Sequence, residues 1–225
     1  MKRCALAAIL MAACGGVASA DVYVDADEDI FDLGFPHLDI HSVEVTNDAT
    51  SITFSVTTNG DLDAVAWGKY LVLIDSRPGG DPGNGWGRNI AATVDHDFFI
   101  GTWADDGGSA VGGQLWEYGA AWSQIGGVVG DDSQHALGIQ TFSVDLAAMG
   151  LSVGDTILFD VATTGGGDTD PGVDHLSVSD GTLATDGWGT ASVPGPYLAY
   201  TIVPAPGSLA LLGLGAFAGL RRRNR

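Results

Sequence analysis

Twenty-five of the twenty-eight acidic residues are aspartate, and only Glu28, Glu44 and Glu117 are glutamate. Aspartate competes with the helical backbone for hydrogen bonds and favours turns, whereas glutamate suits helices. The chain also carries thirty-four glycines. A sequence built this way specifies short strands joined by many tight loops. The expected class is all-β.

The strands themselves are legible from alternation. Ile52-Thr53-Phe54-Ser55-Val56-Thr57 puts apolar side chains on one face and hydroxyls on the other. Residues 38–46 precede it across an Asn47-Asp48-Ala49-Thr50 turn, which predicts an antiparallel hairpin. Tyr70-Leu71-Val72-Leu73-Ile74-Asp75 is apolar on both faces, as a strand covered on both sides must be. Further strands are predicted over 89–94, 98–103, 114–118, 121–125, 137–144, 156–161 and 197–203, with Gly165 to Asp174 as a loop. Asp145 is placed to cap a brief helix over Leu146 to Met149, stopped by Gly150. Nine or ten strands without a dividing linker predict a two-sheet antiparallel β-sandwich, jelly-roll-like, over residues 21–202.

The two ends differ from this body. Met1-Lys2-Arg3 is charged, Cys4 to Ala13 is apolar, and Ala18-Ser19-Ala20 is a small-residue cleavage site. That is a secretory signal peptide over 1–20, a helical leader removed by signal peptidase after Ala20. A second route, lipid modification at Cys14 after Met11-Ala12-Ala13, is the less favoured branch. At the other end, an apolar run from Leu209 to Leu220 precedes Arg221, Arg222, Arg223 and Arg225. A helix of that run reaches about 18 Å, short of the ~30 Å hydrocarbon core. It suits transient membrane anchoring better than permanent spanning.

The tail's pattern of turn, apolar helix and basic end resembles the PEP-CTERM sorting signal. The turn reads Val203-Pro204-Ala205-Pro206, with Ala205 where the pattern has glutamate. The resemblance covers residues 203–225 and implies processing by an exosortase-type membrane peptidase. It implies delivery to the cell surface or extracellular matrix, membrane-anchored before processing.

Both cysteines, Cys4 and Cys14, lie in the leader, so the predicted mature domain has no disulfide. Its only basic residues are Lys69, Arg77 and Arg88, set against every acid in the chain, for a formal charge of about −25. Phosphate neutralisation needs Lys and Arg, so nucleic acid is excluded as a general partner. Neutral polysaccharide is the compatible glycan.

A second resemblance covers most of residues 38–203. The order Leu38-Asp39-Ile40, Gly68 to Asp75, Asn84-Gly85-Trp86-Gly87-Arg88, Phe99 to Trp103 and Asp170-Pro171-Gly172-Val173-Asp174 is similar to family nine carbohydrate-binding modules and the glucodextranase C-terminal domain. It implies a jelly-roll-like sandwich that binds sugar and structural calcium.

Candidate sites follow from chemistry. Trp86 and Trp188 each stand in Gly-Trp-Gly, where bare neighbours leave a ring free to cover a sugar face, and Arg88 could bond its hydroxyls. Asp25, Asp27 and Asp29 open like a calcium loop, but Ile30 at position six and Pro36 at position twelve exclude an EF-hand. Asp168, Asp170 and Asp174 form a second acidic group. At least one cluster is expected to bind structural Ca²⁺. No G-x-S-x-G and no mature thiol occurs, so no catalytic residue is assigned. The expectation is a secreted, non-catalytic, carbohydrate-binding-like surface module. The alternatives are a calcium-stabilised structural or biofilm protein, and a hydrolase of unrecognised type.

Overall fold

The computed structural model describes residues 20–65, 67–104 and 111–204. The signal-peptide residues before Ala20, including Ala18 and Cys14, lie outside them. So do Ala205, Pro206 and Arg221 to Arg223 of the tail.

Among the described residues there are eleven antiparallel strands: β1 Ala20–Val24, β2 Ile40–Asn47, β3 Ser51–Thr58, β4 Lys69–Asp75, β5 Phe98–Trp103, β6 Gly112–Tyr118, β7 Trp122–Asp131, β8 Ile139–Asp145, β9 Thr156–Thr164, β10 Gly172–His175 and β11 Leu198–Thr201. They hydrogen-bond in the order β1-β2-β3-β8-β7-β6-β5-β4-β9-β10, with β11 also on β9. The alternation read in residues 52–57 is the pattern of β3. Ile52, Phe54 and Val56 are buried, and the hydroxyls face outward. There they pair across to β8, Thr53 with Ser143 at 2.7 Å and Ser55 with Thr141 at 2.8 Å.

This sheet is continuous by hydrogen bonding and a sandwich by packing. Phe54 of β3 stacks on Phe142 of β8 and meets Phe159 of β9 edge-on, each at 5.7 Å. The turn between the halves lies at β6 and β7. A bulge falls between Leu115 and Trp116, and β7 pairs β8 only over Val129 to Asp131. Bulges bend and twist a strand locally, which lets one sheet fold over on itself. Gly130 is required here, since a Cβ would sit 2.7 Å from Val111.

Strand β4 is covered on both faces, as its composition demands. Tyr70, Val72 and Ile74 enter the main core. Leu71 and Leu73 pack outward under Ile90, Phe99 and Ala162. Leu146–Met149 forms a 3₁₀ turn ended by Gly150 at φ 68°, though the Asp145 side chain makes no capping bond. Three segments depart from the sequence reading. Residues 89–94 are no strand; Ile90 makes a single parallel bridge to Ser192 as the segment crosses over β4's outer face. β1 is a strand where none was assigned, and β10 begins inside the predicted Gly165 to Asp174 loop.

The curled sheet leaves a seam, where the β1–β2 edge approaches β10 and β11 without a ladder between them in the described pairings. At one end side chains bridge it. Tyr23 donates to the Ala199 carbonyl at 2.6 Å and packs on Phe159. The Asn47 amide takes the Val203 N–H at 3.0 Å, gives to the Val203 carbonyl at 2.8 Å and accepts from the Tyr200 hydroxyl at 2.7 Å. At the other end lies the loop of residues 25–39 that joins β1 to β2. It is long for a hairpin connection, and such loops commonly carry function.

Candidate metal centre in the sheet seam

Residues 25–39 leave β1 through Asp25, whose N–H still reaches the His41 carbonyl at 3.1 Å. Glu28 then turns the chain in the left-handed region at φ 64°, a conformation that costs a non-glycine residue energy. That turn places Asp29 inside the molecule and lets the Glu28 N–H donate to Asp39 Oδ2 at 3.1 Å. Asn59 holds the same oxygen at 2.9 Å. Across the seam, the two oxygens of Asp174 accept from Ile40 N–H at 2.6 Å and His175 N–H at 2.8 Å.

Asp29, Asp39 and Asp174 bring carboxylate oxygens within 4.8 Å of one another, all three residues buried. Asp25, 6% exposed, acts electrostatically on Asp174 and Asp29 on it. Several of these oxygens lack any partner: Asp25 Oδ2, Asp39 Oδ1 and both oxygens of Asp29, which is 4% exposed. A buried carboxylate oxygen without a donor is costly, and four such groups together are costlier. Burial, and then the charge on Asp29, push Asp25 up to about 7. Burial, and then Asp39, push Asp29 up to about 6. Asp39 is raised by burial, and Asp174 is raised well above the carboxylate range by burial and then by Asp25. The two described arginines are engaged elsewhere: Arg77 on Glu117 at 2.7 Å, Arg88 on the Gly167 carbonyl. The spacing suits one ion, since oxygens on opposite sides of a Ca²⁺ stand about 5 Å apart at Ca–O distances of about 2.3–2.6 Å.

Of the six predicted metal residues, the structure brings Asp29 and Asp174 together and sets Asp25 within electrostatic reach of both. Asp27 points outward, bonded to His41 at 2.8 Å and Asn59 at 3.1 Å. Asp168 and Asp170 belong to the loop before β10. There Asp170 accepts from the Gly167 N–H at 2.8 Å, and both acids act on Arg88 rather than on the cluster. Asp39 was missed. Its signal was an acid set between Leu38 and Ile40, both fully buried.

Trp86 and Trp188 pack into different apolar clusters. Trp86 covers Gly101 of β5, where a Cβ would come within 2.5 Å of the ring, and stacks on Trp103 at 6.2 Å. Its N–H is taken by Gln114 at 2.7 Å, and the Arg88 guanidinium lies 5.4 Å from its centroid. Trp188 packs with Phe31, Phe35 and Trp67 over Ile30, Leu38 and Val173.

A Ser–His–Asp arrangement that sequence reading did not find also lies beside the cluster. His175 Nδ1 is 2.6 Å from Asp160 Oδ2, and its Nε2 is 2.9 Å from Ser192 Oγ. All three residues are fully buried, and Ser192 Oγ already accepts the Gly172 N–H at 3.0 Å. A Cβ at Gly172 would meet His175 Nε2 at 2.1 Å, so the Gly172 backbone lies directly against the ring. The trio ties β9, β10 and the segment before β11 together.

Comparison with known proteins places only the tail. No curated protein and no solved structure matches the chain. Val203, the residue held by Asn47, is also where the match to a sorting motif starts. Residues 203–224 match the PEP-CTERM protein-sorting motif, which marks an exported chain sorted to the cell surface by an exosortase.

Proposed function

We propose that the chain is a non-catalytic surface β-sandwich whose fold is completed by one Ca²⁺ ion held by Asp25, Asp29, Asp39 and Asp174. The observation that carries this reading is the convergence of buried carboxylate oxygens that have no protein partner. The donor set is all oxygen, which suits a hard cation and disfavours Zn²⁺ or Cu²⁺. Mg²⁺ keeps several waters and demands octahedral geometry, whereas Ca²⁺ accepts an irregular carboxylate cage. When bound, the ion supplies positive charge to four acids and does no chemistry. The sealed His175 relay supports the non-catalytic reading. After cleavage behind Ala20 and exosortase processing, the domain would act at the surface or in the matrix.

Calorimetric titration of Ca²⁺ into chelator-treated protein tests it. Saturable binding in the range of extracellular modules, Kd about 10⁻⁴–10⁻³ M or tighter, is expected. It should be abolished in Asp29→Asn and retained in Asp27→Asn; absence of binding heat in the wild type ends the proposal.

Neutral-polysaccharide binding is the second reading. It draws on half-buried Trp86, Trp116 and Trp122 on the outer face of β5 to β7. A glycan array with Trp86→Ala and Trp188→Ala separates it from the structural role: specific binding lost in either variant supports it, and silence removes it.

A further inference from the structure

We infer that the cation decides whether one end of the sheet seam is closed, so that the sandwich finishes folding only after export. This rests on the calcium reading above. The four acids come from both walls of the seam: Asp25, Asp29 and Asp39 from the loop joining β1 to β2, Asp174 from β10. The described ladders join β1 only to β2, and β10 only to β9. What crosses at this end is a few single bonds, among them Ile40 N–H to Asp174 and the Thr163 hydroxyl to the Leu38 carbonyl. Closing that gap without a cation is unfavourable, because each buried carboxyl must either stay charged beside its neighbours or take up a proton. A divalent ion between them reverses the sign, because each wall is then drawn to the same centre. Closure at this end is therefore a function of occupancy.

The opposite end behaves otherwise. Tyr23 and Asn47 bridge it with neutral hydrogen bonds that no ion affects. The ion-free molecule is thus hinged: held at Asn47 and open at Asp29. Free calcium is scarce in cytosol and plentiful outside cells, and a site of the extracellular class fills only in the second setting. The sorting motif sends this chain there. A ligand that binds only the closed form raises its population by a factor of about 100 when present at 100 times Kd.

Hydrogen exchange on the full exported chain, in chelator, in calcium and in magnesium, tests the idea. Calcium should slow exchange at least tenfold over residues 25–40 and 172–177. Magnesium should do much less, and β3 and β8 should change little. Asn47→Ala should speed exchange over residues 199–203 equally with and without calcium. If calorimetry shows calcium binding while exchange at 25–40 and 172–177 is unchanged, the lock is refuted and the calcium site stands. If no calcium binds, both fall. The wild-type comparison decides the matter even where Asp29→Asn fails to fold.

Discussion

The two ends of the seam solve one problem with opposite chemistry. Around Asn47, one side-chain amide meets the N–H and carbonyl of Val203 and the Tyr200 hydroxyl, so each polar atom there has its partner. Around Asp29, buried oxygens face one another with none. A neutral bridge is complete when the chain folds. On the calcium proposal, a bridge of acids is complete only with an ion from outside, and that makes it conditional. The difference explains how a cysteine-free domain this acidic can hold an open sheet edge shut at one end and leave the other to its surroundings.

Calcium should produce the largest effect. At 100 times Kd it stabilises the folded state by about 2.7 kcal/mol, which moves Tm by about 5–10 °C for a domain of this size. Calorimetric scans in chelator and in calcium measure it; equal midpoints would break the contrast between the ends. Asn47→Ala comes next. It strands the buried Tyr200 hydroxyl and two Val203 backbone groups, at about 1–3 kcal/mol. Urea unfolding should show the same loss with and without calcium. A loss that depended on calcium would mean the two ends are one unit.

Acid sharpens the comparison further. Asp25 at about 7 and Asp29 at about 6 are raised in the folded state, each by burial first. A raised carboxylate means that the folded form binds more protons than the unfolded one. In ion-free protein the stability that these two acids contribute is therefore full below the ordinary aspartate range, and is lost as pH climbs from about 4 to about 7. With calcium the trend reverses, because protons compete with the ion for the same oxygens. Melting curves at pH 5 and pH 8, each with and without chelator, should cross. Parallel curves would show that the acids do not act on folding.

How much of this was legible beforehand varies with range. Period-two alternation made β3 and β8 readable, and the doubly apolar run gave β4, because burial on a pleated surface writes itself into local sequence. β1 and β10 were not readable: four or five residues flanked by acids and glycine are strands only by virtue of their neighbours. The carboxylate cluster proposed as a metal centre was half legible. Asp25 and Asp29 share a loop, but their partners are Asp39 and Asp174, and only the closing of the sheet brings those together. Asp168 and Asp170 stand close to Asp174 in sequence yet turn to Arg88, since β10 points one acid across the seam and the loop before it faces another way. Gly-Trp-Gly promised open rings; Gly101 of β5 and Gly165, just past β9, offered bare backbone, and the tryptophans settled onto it.

The smallest effect is the most local. The same loop that carries Asp25, Asp29 and Asp39 carries Phe31 and Phe35, which meet Trp188 at 5.2 and 5.7 Å, while Phe35 meets Trp67 at 5.5 Å. Ordering the loop around an ion must therefore alter the surroundings of Trp67 and Trp188. Trp86 stacks on Trp103 and packs in another cluster, away from Phe31 and Phe35. Calcium added to chelated protein should shift tryptophan emission by a few nanometres, on the order of what partial desolvation of one or two half-buried rings gives. Trp188→Phe should remove most of that shift, and Trp86→Phe should leave it intact. If the Trp86 variant lost the signal instead, the ion would be acting through the whole sandwich, and the seam would have no separate ends.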